Sequence, residues 1–180
     1  MQYAPWRRVR ALLDTWLEGF VNVLLAIDQS SHSDAAVAAV RDRFQPETTS
    51  VRVLHVVEWP KNLAAPFAFA EGPSAAECIL AVHEAMRQEG RKLLTRAVSQ
   101  LHDGRFEAAP ILAEGDVRVA ILDEAAAWPA DLIVLGSHGR TGLTRLLLGS
   151  VSEGIVRHAP CSVEIVRDKR LASDRPSAAS

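Results

Sequence analysis

Five short apolar runs punctuate the chain, and longer polar-rich stretches with helical periodicity separate them. The runs are residues 20–27 (FVNVLLAI), 51–57 (VRVLHVV), 106–112, 131–136 (DLIVLG) and 162–166 (SVEIV). The first and fourth are apolar on both faces, as strands covered by helices on both sides must be. Pro110 sits in the third run. Its ring nitrogen cannot donate to a ladder, which predicts a strand at a sheet edge.

The stretches between the runs carry helix signals. Ser31 or Ser33 can cap a helix running to about Phe44. Ser74 with Glu77 makes a capping box for a long helix whose Ile79, Met86, Leu93, Leu94, Ala97 and Leu101 follow a period near 3.6 residues. That helix is expected to end near Asp103-Gly104. Asp116 can cap the next helix, which Pro129 stops soon after Trp128. Ser150 with Glu153 makes another capping box, and the last helix ends before Pro160. Strand–helix alternation of this kind predicts an α/β fold with a parallel sheet and right-handed crossovers.

Three pieces stand outside the alternation. Residues 1–20 place Trp6, Val9, Leu13, Trp16 and Phe20 on one stripe, with Arg7, Arg8 and Arg10 off it. This predicts an amphipathic helical extension. It suits packing on its own domain or across a dimer, with another protein as the alternative partner. A membrane surface suits it least, because Asp14 and Glu18 dilute the basic face. Residues 58–73 hold Trp59, Pro60, Pro66, Phe67, Phe69 and Pro73 and read as a long loop, a lid or a partner contact. Residues 168–180 read as a flexible tail. One domain over 21–167 is expected between the extension and the tail.

Composition narrows the class. The 180 residues are 48% hydrophobic, too apolar for intrinsic disorder. A net charge of −2 argues against a broad electrostatic nucleic-acid binder. Cys78 and Cys161 are far apart and form no disulfide framework and no CxxC metal pair. The histidines have no ligand spacing with one another or with cysteine, so no protein metal site is expected. No segment approaches the roughly 18 unbroken apolar residues of a membrane span. Asp14 and Glu18 interrupt what would be the core of a secretory signal. The cytoplasm is the expected compartment.

The stretch 135–151, LGSHGRTGLTRLLLGSV, carries the chemistry. It begins where the fourth strand ends and finishes as a capped helix begins. Gly136, Gly139, Gly142 and Gly149 fall within it. Glycines let backbone N–H groups approach an anion, and a helix N-terminus adds donors and partial positive charge. Ser150 and Arg140 or Arg145 can add further donors. His138 lies in the same turn, where it could reach a phosphate or simply face solvent. By glycine count alone, a phosphate cradle and a plain turn are about equally supported. No Walker A lysine follows the glycines, and their spacing is not that of a dinucleotide fingerprint.

Gly136-x2-Gly139-x9-Gly149-Ser150 resembles the G-2x-G-9x-G-S/T motif of ATP-binding universal stress proteins. The surrounding GSHGRTGLTRLLLGSVSE and RHAPCSVEIVR, with VLLAIDQS and LHVV at the first two strands, are similar to that family as well. The resemblance spans about residues 21–167. It implies an open five-stranded parallel sheet of order 3-2-1-4-5 with helices on both faces, Rossmann-like and akin to the adenine nucleotide α-hydrolases. Ligands in such sheets bind where the order reverses, beyond the carboxyl ends of the strands.

The resemblance implies ATP as the ligand, with Mg²⁺ carried on its phosphates. Ala26 and Asp28 would line the base and ribose, and His55-Val56 would give backbone and apolar contact to adenine. Leu135 and Gly136 would lie beneath the ribose. Gly139, Arg140, Gly149, Ser150 and Val151 would hold the phosphates. Asp28 is also a good helix-capping or turn residue in its own right. The family commonly has Asp-Gly-Ser after the first strand, where this chain has Asp28-Gln29-Ser30. A homodimer through the last strand, residues 162–166, is a further implication, because pairing would satisfy an open edge.

These features favour a nucleotide-dependent regulatory module in the stress response over a dedicated enzyme. No general base or Walker B-like acid stands beside the phosphate loop. Slow ATP hydrolysis is compatible with such a site. An α-hydrolase-type enzyme is the alternative, although SGGxDS and HIGH signatures are absent. A nucleotide-free interaction protein would have no use for the glycine motif.

Overall fold

The computed structural model describes residues 19–58, 74–137 and 149–167. The N-terminal amphipathic stripe as far as Trp16, the 59–73 segment, the glycine turn 138–148 and the tail lie outside the described residues, while Phe20, the last residue of the stripe, is described and exposed. The chain runs β1 (Val21–Ala26), α1 (Ser31–Arg43), a 3-10 turn (Pro46–Thr48), β2 (Thr49–Val57), α2 (Ser74–Asp103), β3 (Glu107–Glu114), α3 (Val117–Ala127), β4 (Leu132–Gly136), α4 (Ser150–His158) and β5 (Ser162–Val166). The five strands form one sheet of order β3-β2-β1-β4-β5, and every described pairing is parallel. β3 lies at an edge, where Pro110 faces a ladder on one side only.

Strand alternation sorts the core into two layers. Val23 and Leu25 of β1 pack with Val51, Val53 and Val134 against α1 and α2, through Val37, Val40, Leu94 and Leu101. Leu24 and Ala26 pack with Leu54, Ile133 and Leu135 against α3 and α4, through Ile121, Ala125 and Ile155. Every second side chain of β1 therefore enters a different core, which is why its sequence carries no polar face. Asp131 locks the start of β4 to β1: its backbone N–H donates to Asn22 O at 2.9 Å, and its carboxylate accepts from Asn22 N at 2.9 Å.

The helix ends confirm some caps and move others. Asp116 Oδ1 accepts from Arg118 N at 2.9 Å and Val119 N at 3.2 Å, the expected cap of α3. α1 is capped at Ser30, not at Ser31 or Ser33, and the Ser30 side chain makes no cap bond. Gly149, not Ser150, is the N-cap of α4, again without a side-chain cap bond, so the Ser150–Glu153 box does not form. The side chain of Ser74 lies outside the described residues. At the end of α2, Phe106 N donates to Leu101 O and Arg105 N to His102 O. This is a Schellman closure whose left-handed residue is Arg105 (φ 66°), one place beyond Gly104. Gly154, inside α4, faces α3: a Cβ there would lie 2.7 Å from Arg118 Cδ. Arg118 is a flexible, exposed side chain that can move aside, so this contact alone does not demand a glycine.

Cys161 is half-buried, whereas Cys78 is exposed. Burial pushes the Cys161 thiol above its ordinary range, and the Asp131 charge adds to this, while a hydrogen bond with the Ile133 backbone pulls the other way. The fold therefore resists ionising this thiol. Its contribution to stability is full below the ordinary thiol range and declines as pH rises through it. At pH 8, alkylation with iodoacetamide is expected to label Cys78 well before Cys161, as read by intact-mass spectrometry. Equal rates would contradict this.

Candidate functional site

A cavity of about 550 Å³ opens beyond the carboxyl ends of β1, β2 and β4. It lies where the order reverses, since β1 has β2 on one side and β4 on the other. Ala26, Asp28, His55, Val56, Leu135, Gly136, Gly149, Ser150 and Val151 all border it. Gly139 and Arg140 lie outside the described residues. A smaller hollow of about 380 Å³, between Val21, Phe44 and Thr48 near the start of β1, carries none of the expected site residues.

The two described ends of the motif are stitched together by backbone. Gly149 N donates to Ser137 O at 3.0 Å, and Ser137 N donates to Val166 O at 2.8 Å. The buried Ser152 Oγ donates to Gly136 O at 2.9 Å. These bonds hold the start of α4 beside the end of β4. The first intrahelical bond described in α4 runs from Glu153 N to Gly149 O. Helix geometry gives the N–H groups of Ser150, Val151 and Ser152 no intrahelical acceptor, and the N-cap Gly149 has no side chain with which to cap them. Together they present partial positive charge along the cavity wall.

Gly136 serves packing as much as ligand access. A Cβ there would lie 2.7 Å from His32 Cβ and 3.1 Å from the His32 carbonyl carbon. The glycine lets the start of α1 pass over the end of β4. Gly136→Ala is expected to cost about 1–3 kcal/mol, as overpacking against backbone does. Urea unfolding measures it, and an unchanged midpoint would refute the contact.

Asp28 does what its turn chemistry suggests while also bordering the cavity. Its Oδ1 accepts from Ser30 N at 3.0 Å, from Ser30 Oγ, and from Ser33 Oγ at 2.7 Å. Its own N–H donates to Ser33 Oγ at 2.7 Å. Ser33 is buried inside this turn, a second structural role that a capping argument did not reveal. Among the described residues only Arg105 combines a side chain with positive φ. Gln29 therefore needs no glycine-like backbone, and its departure from Asp-Gly-Ser is accommodated.

The far wall comes from α2, through Val82, Ala85, Met86 and Glu89. Helical periodicity marked this helix as core-facing but gave no sign that its first half borders a site. Gly90 was the available signal: a Cβ there would lie 2.8 Å from His55 Cδ2 and 2.8 Å from Leu112 Cδ1. Among the described residues the carboxylates of the cavity are Asp28, Glu58 and Glu89, and none stands on β4 or α4.

A model of the universal stress protein family matches residues 19–167. The chain belongs to the universal stress protein family. Universal stress protein A homolog 2 of Coxiella burnetii is 29% identical over 154 residues, covering 85% of this chain and 99% of its own. Universal stress protein YxiE of Bacillus subtilis is 30% identical over 152 residues, covering 82% and 99%. Among solved structures, the hypothetical protein MJ0577 superposes with a TM-score of 0.71 at 23% identity, covering 83% of this chain and 97% of that one. A family member from Arabidopsis thaliana with AMP bound gives 0.57 at 20% identity, covering 88% and 97%. A universal stress protein in complex with cAMP gives 0.54 at 19% identity, covering 83% and 98%. At these identities the structural likeness establishes the fold.

Proposed function

We propose that this universal stress protein binds an adenine nucleotide, ATP in the first instance, and that occupancy regulates its contacts with partners under stress. The observation that carries the reading is the amino end of α4, which starts at the side-chain-less N-cap Gly149, has first N–H groups without an intrahelical acceptor, and lines the cavity at the switch point of the sheet. Ser150 adds a hydroxyl to those donors, and the motif's resemblance assigns Gly139 and Arg140, which lie outside the described residues, to the phosphate end as well. Ala26, Val56 and Leu135 provide the apolar and backbone surface for the base. Asp28 Oδ1 is engaged within its turn, so Oδ2 is the oxygen that reaches a ribose hydroxyl. The AMP and cAMP complexes of two structural neighbours support an adenine ligand without fixing its phosphate count. Mg²⁺ would be held by the phosphates.

Among the described residues the cavity's carboxylates lie on the β1, β2 and α2 side, which favours binding over turnover. β5 lies at the second edge of the sheet. Its open backbone suits pairing with the same strand of another copy.

The protein is expected to release adenine nucleotide on acid denaturation, or to be stabilised by added ATP. At a hundredfold excess over Kd the gain is about 2.7 kcal/mol. That corresponds to a rise in Tm of roughly 5–10 °C for a chain of this size. No released nucleotide and no shift with ATP, ADP or AMP would overturn the reading.

A further inference from the structure

We propose that His55 is a positioning residue: its imidazole replaces a rung of the sheet and so leaves the Val56 peptide edge open for the base. This rests on the adenine-nucleotide reading above and adds the device that selects the base. The β1–β2 ladder runs to the pair Ala26–Leu54. One further bond follows, from Ile27 N to Leu54 O at 2.9 Å. In a regular parallel ladder the next bond would run from Val56 N to Ile27 O. Instead His55 Nδ1 meets Ile27 O at 2.9 Å. A carbonyl oxygen only accepts, so Nδ1 carries the proton and donates.

Strand geometry then determines what Val56 offers. Alternate residues turn their N–H and C=O to opposite sides. Leu54 O faces β1, because it accepts from Ile27 N. Val57 O faces β3, because it accepts from Gly115 N at 3.1 Å. Val56 therefore faces the β1 side, just past the end of that strand, where it borders the cavity. With Ile27 O taken by the ring, the Val56 N–H and C=O form a donor–acceptor edge. Adenine carries the complement, the N1 acceptor beside the N6 donor. Guanine carries the reverse, O6 as acceptor and N1–H as donor.

The ring has little room to move. A Cβ on Gly90 would lie 2.8 Å from His55 Cδ2, so α2 closes over the imidazole at a glycine. The same ring tethers Ile27, the residue before Asp28. One side chain thus places the peptide edge for the base and the loop that carries the ribose contact.

The test compares ATP with GTP by titration calorimetry, using the full chain and three variants. His55→Leu removes the donor. His55→Asn keeps an N–H near the position of Nδ1, and His55→Gln moves it toward that of Nε2. The wild type is expected to prefer ATP. The ATP:GTP affinity ratio should fall about tenfold or more in His55→Leu and His55→Gln, because a hydrogen-bonding edge discriminates only while it is held in place. His55→Asn should stay within about threefold of wild type. A structural role alone would weaken both nucleotides together and leave the ratio unmoved. If His55→Leu fails to fold, the Asn and Gln variants still decide. ¹⁵N correlation spectra of the ligand-free protein should show the Nδ1–H form of His55, and the Nε2–H form would overturn the latch directly. A wild type that binds ATP, with the ratio unchanged in His55→Leu and His55→Gln, overturns the latch alone. A wild type that binds no adenine nucleotide overturns the underlying reading.

Discussion

Replacing Leu24 by alanine is expected to lower folding stability by about 3–4 kcal/mol, as a fully buried leucine leaves both lost transfer energy and a cavity. Leu24 is fully buried on the face shared by Leu54, Ile121, Ala125, Ile133 and Ile155. β1 is the central strand, held by β2 and β4, so the site cannot collapse by letting an edge drift inward. Ile111 offers the contrast. It lies on edge strand β3 and is only partly buried against the same cluster. Ile111→Ala is expected to cost about 1–2 kcal/mol, since less surface is lost and the edge can relax. Urea midpoints of the two variants give the comparison. Equal losses would mean that the two-layer core is wrongly described.

Ser150→Pro is expected to reduce nucleotide affinity by roughly thirtyfold while leaving the fold intact. Ser150 is the first helical residue after the N-cap Gly149. Proline is tolerated there, because the N–H it lacks has no intrahelical acceptor. It also requires an extended residue before it, and Gly149 has φ −62° and ψ 151°. The substitution therefore removes one backbone donor and one hydroxyl from the proposed phosphate site with little backbone strain. A hydrogen bond to a charged group contributes about 1.5–3 kcal/mol, and 2 kcal/mol is close to thirtyfold. Ser150→Ala removes the hydroxyl alone and should show the smaller part of the loss. ATP titration by calorimetry, with circular dichroism as the folding control, reads both. Full affinity in Ser150→Pro would place the phosphates elsewhere.

Much of the fold was legible because its signals are local. Runs apolar on both faces marked β1 and β4 as interior strands, and Pro110 marked β3 as an edge. Asp116 and Pro129 bounded α3 within a residue. Caps that depend on which of several serines the chain selects were not legible. The turn after β1 contains Ser30, Ser31 and Ser33. Asp28 gathers Ser30 and Ser33 into its own hydrogen bonds, and that choice shifts the cap. The left-handed position after α2 went to Arg105 although Gly104 stood beside it. A Cβ on Gly104 would crowd Leu101 O and Phe106, so packing set the helix end there.

The candidate site divides in the same way. The sequence by itself determined the strand–helix order, the edge position of β3 and the glycine spacing that marks the β4–α4 connection, because periodicity, proline and glycine act over a few residues. Only the tertiary structure decided that α2 supplies the far wall, that Gly136 yields to His32 and that His55 takes the place of a ladder bond. Those three facts join residues remote in sequence, such as Ile27 with His55 and His55 with Gly90. Contacts of that kind arise when helices settle on the sheet at fixed distances, and no local pattern of residue types encodes those distances.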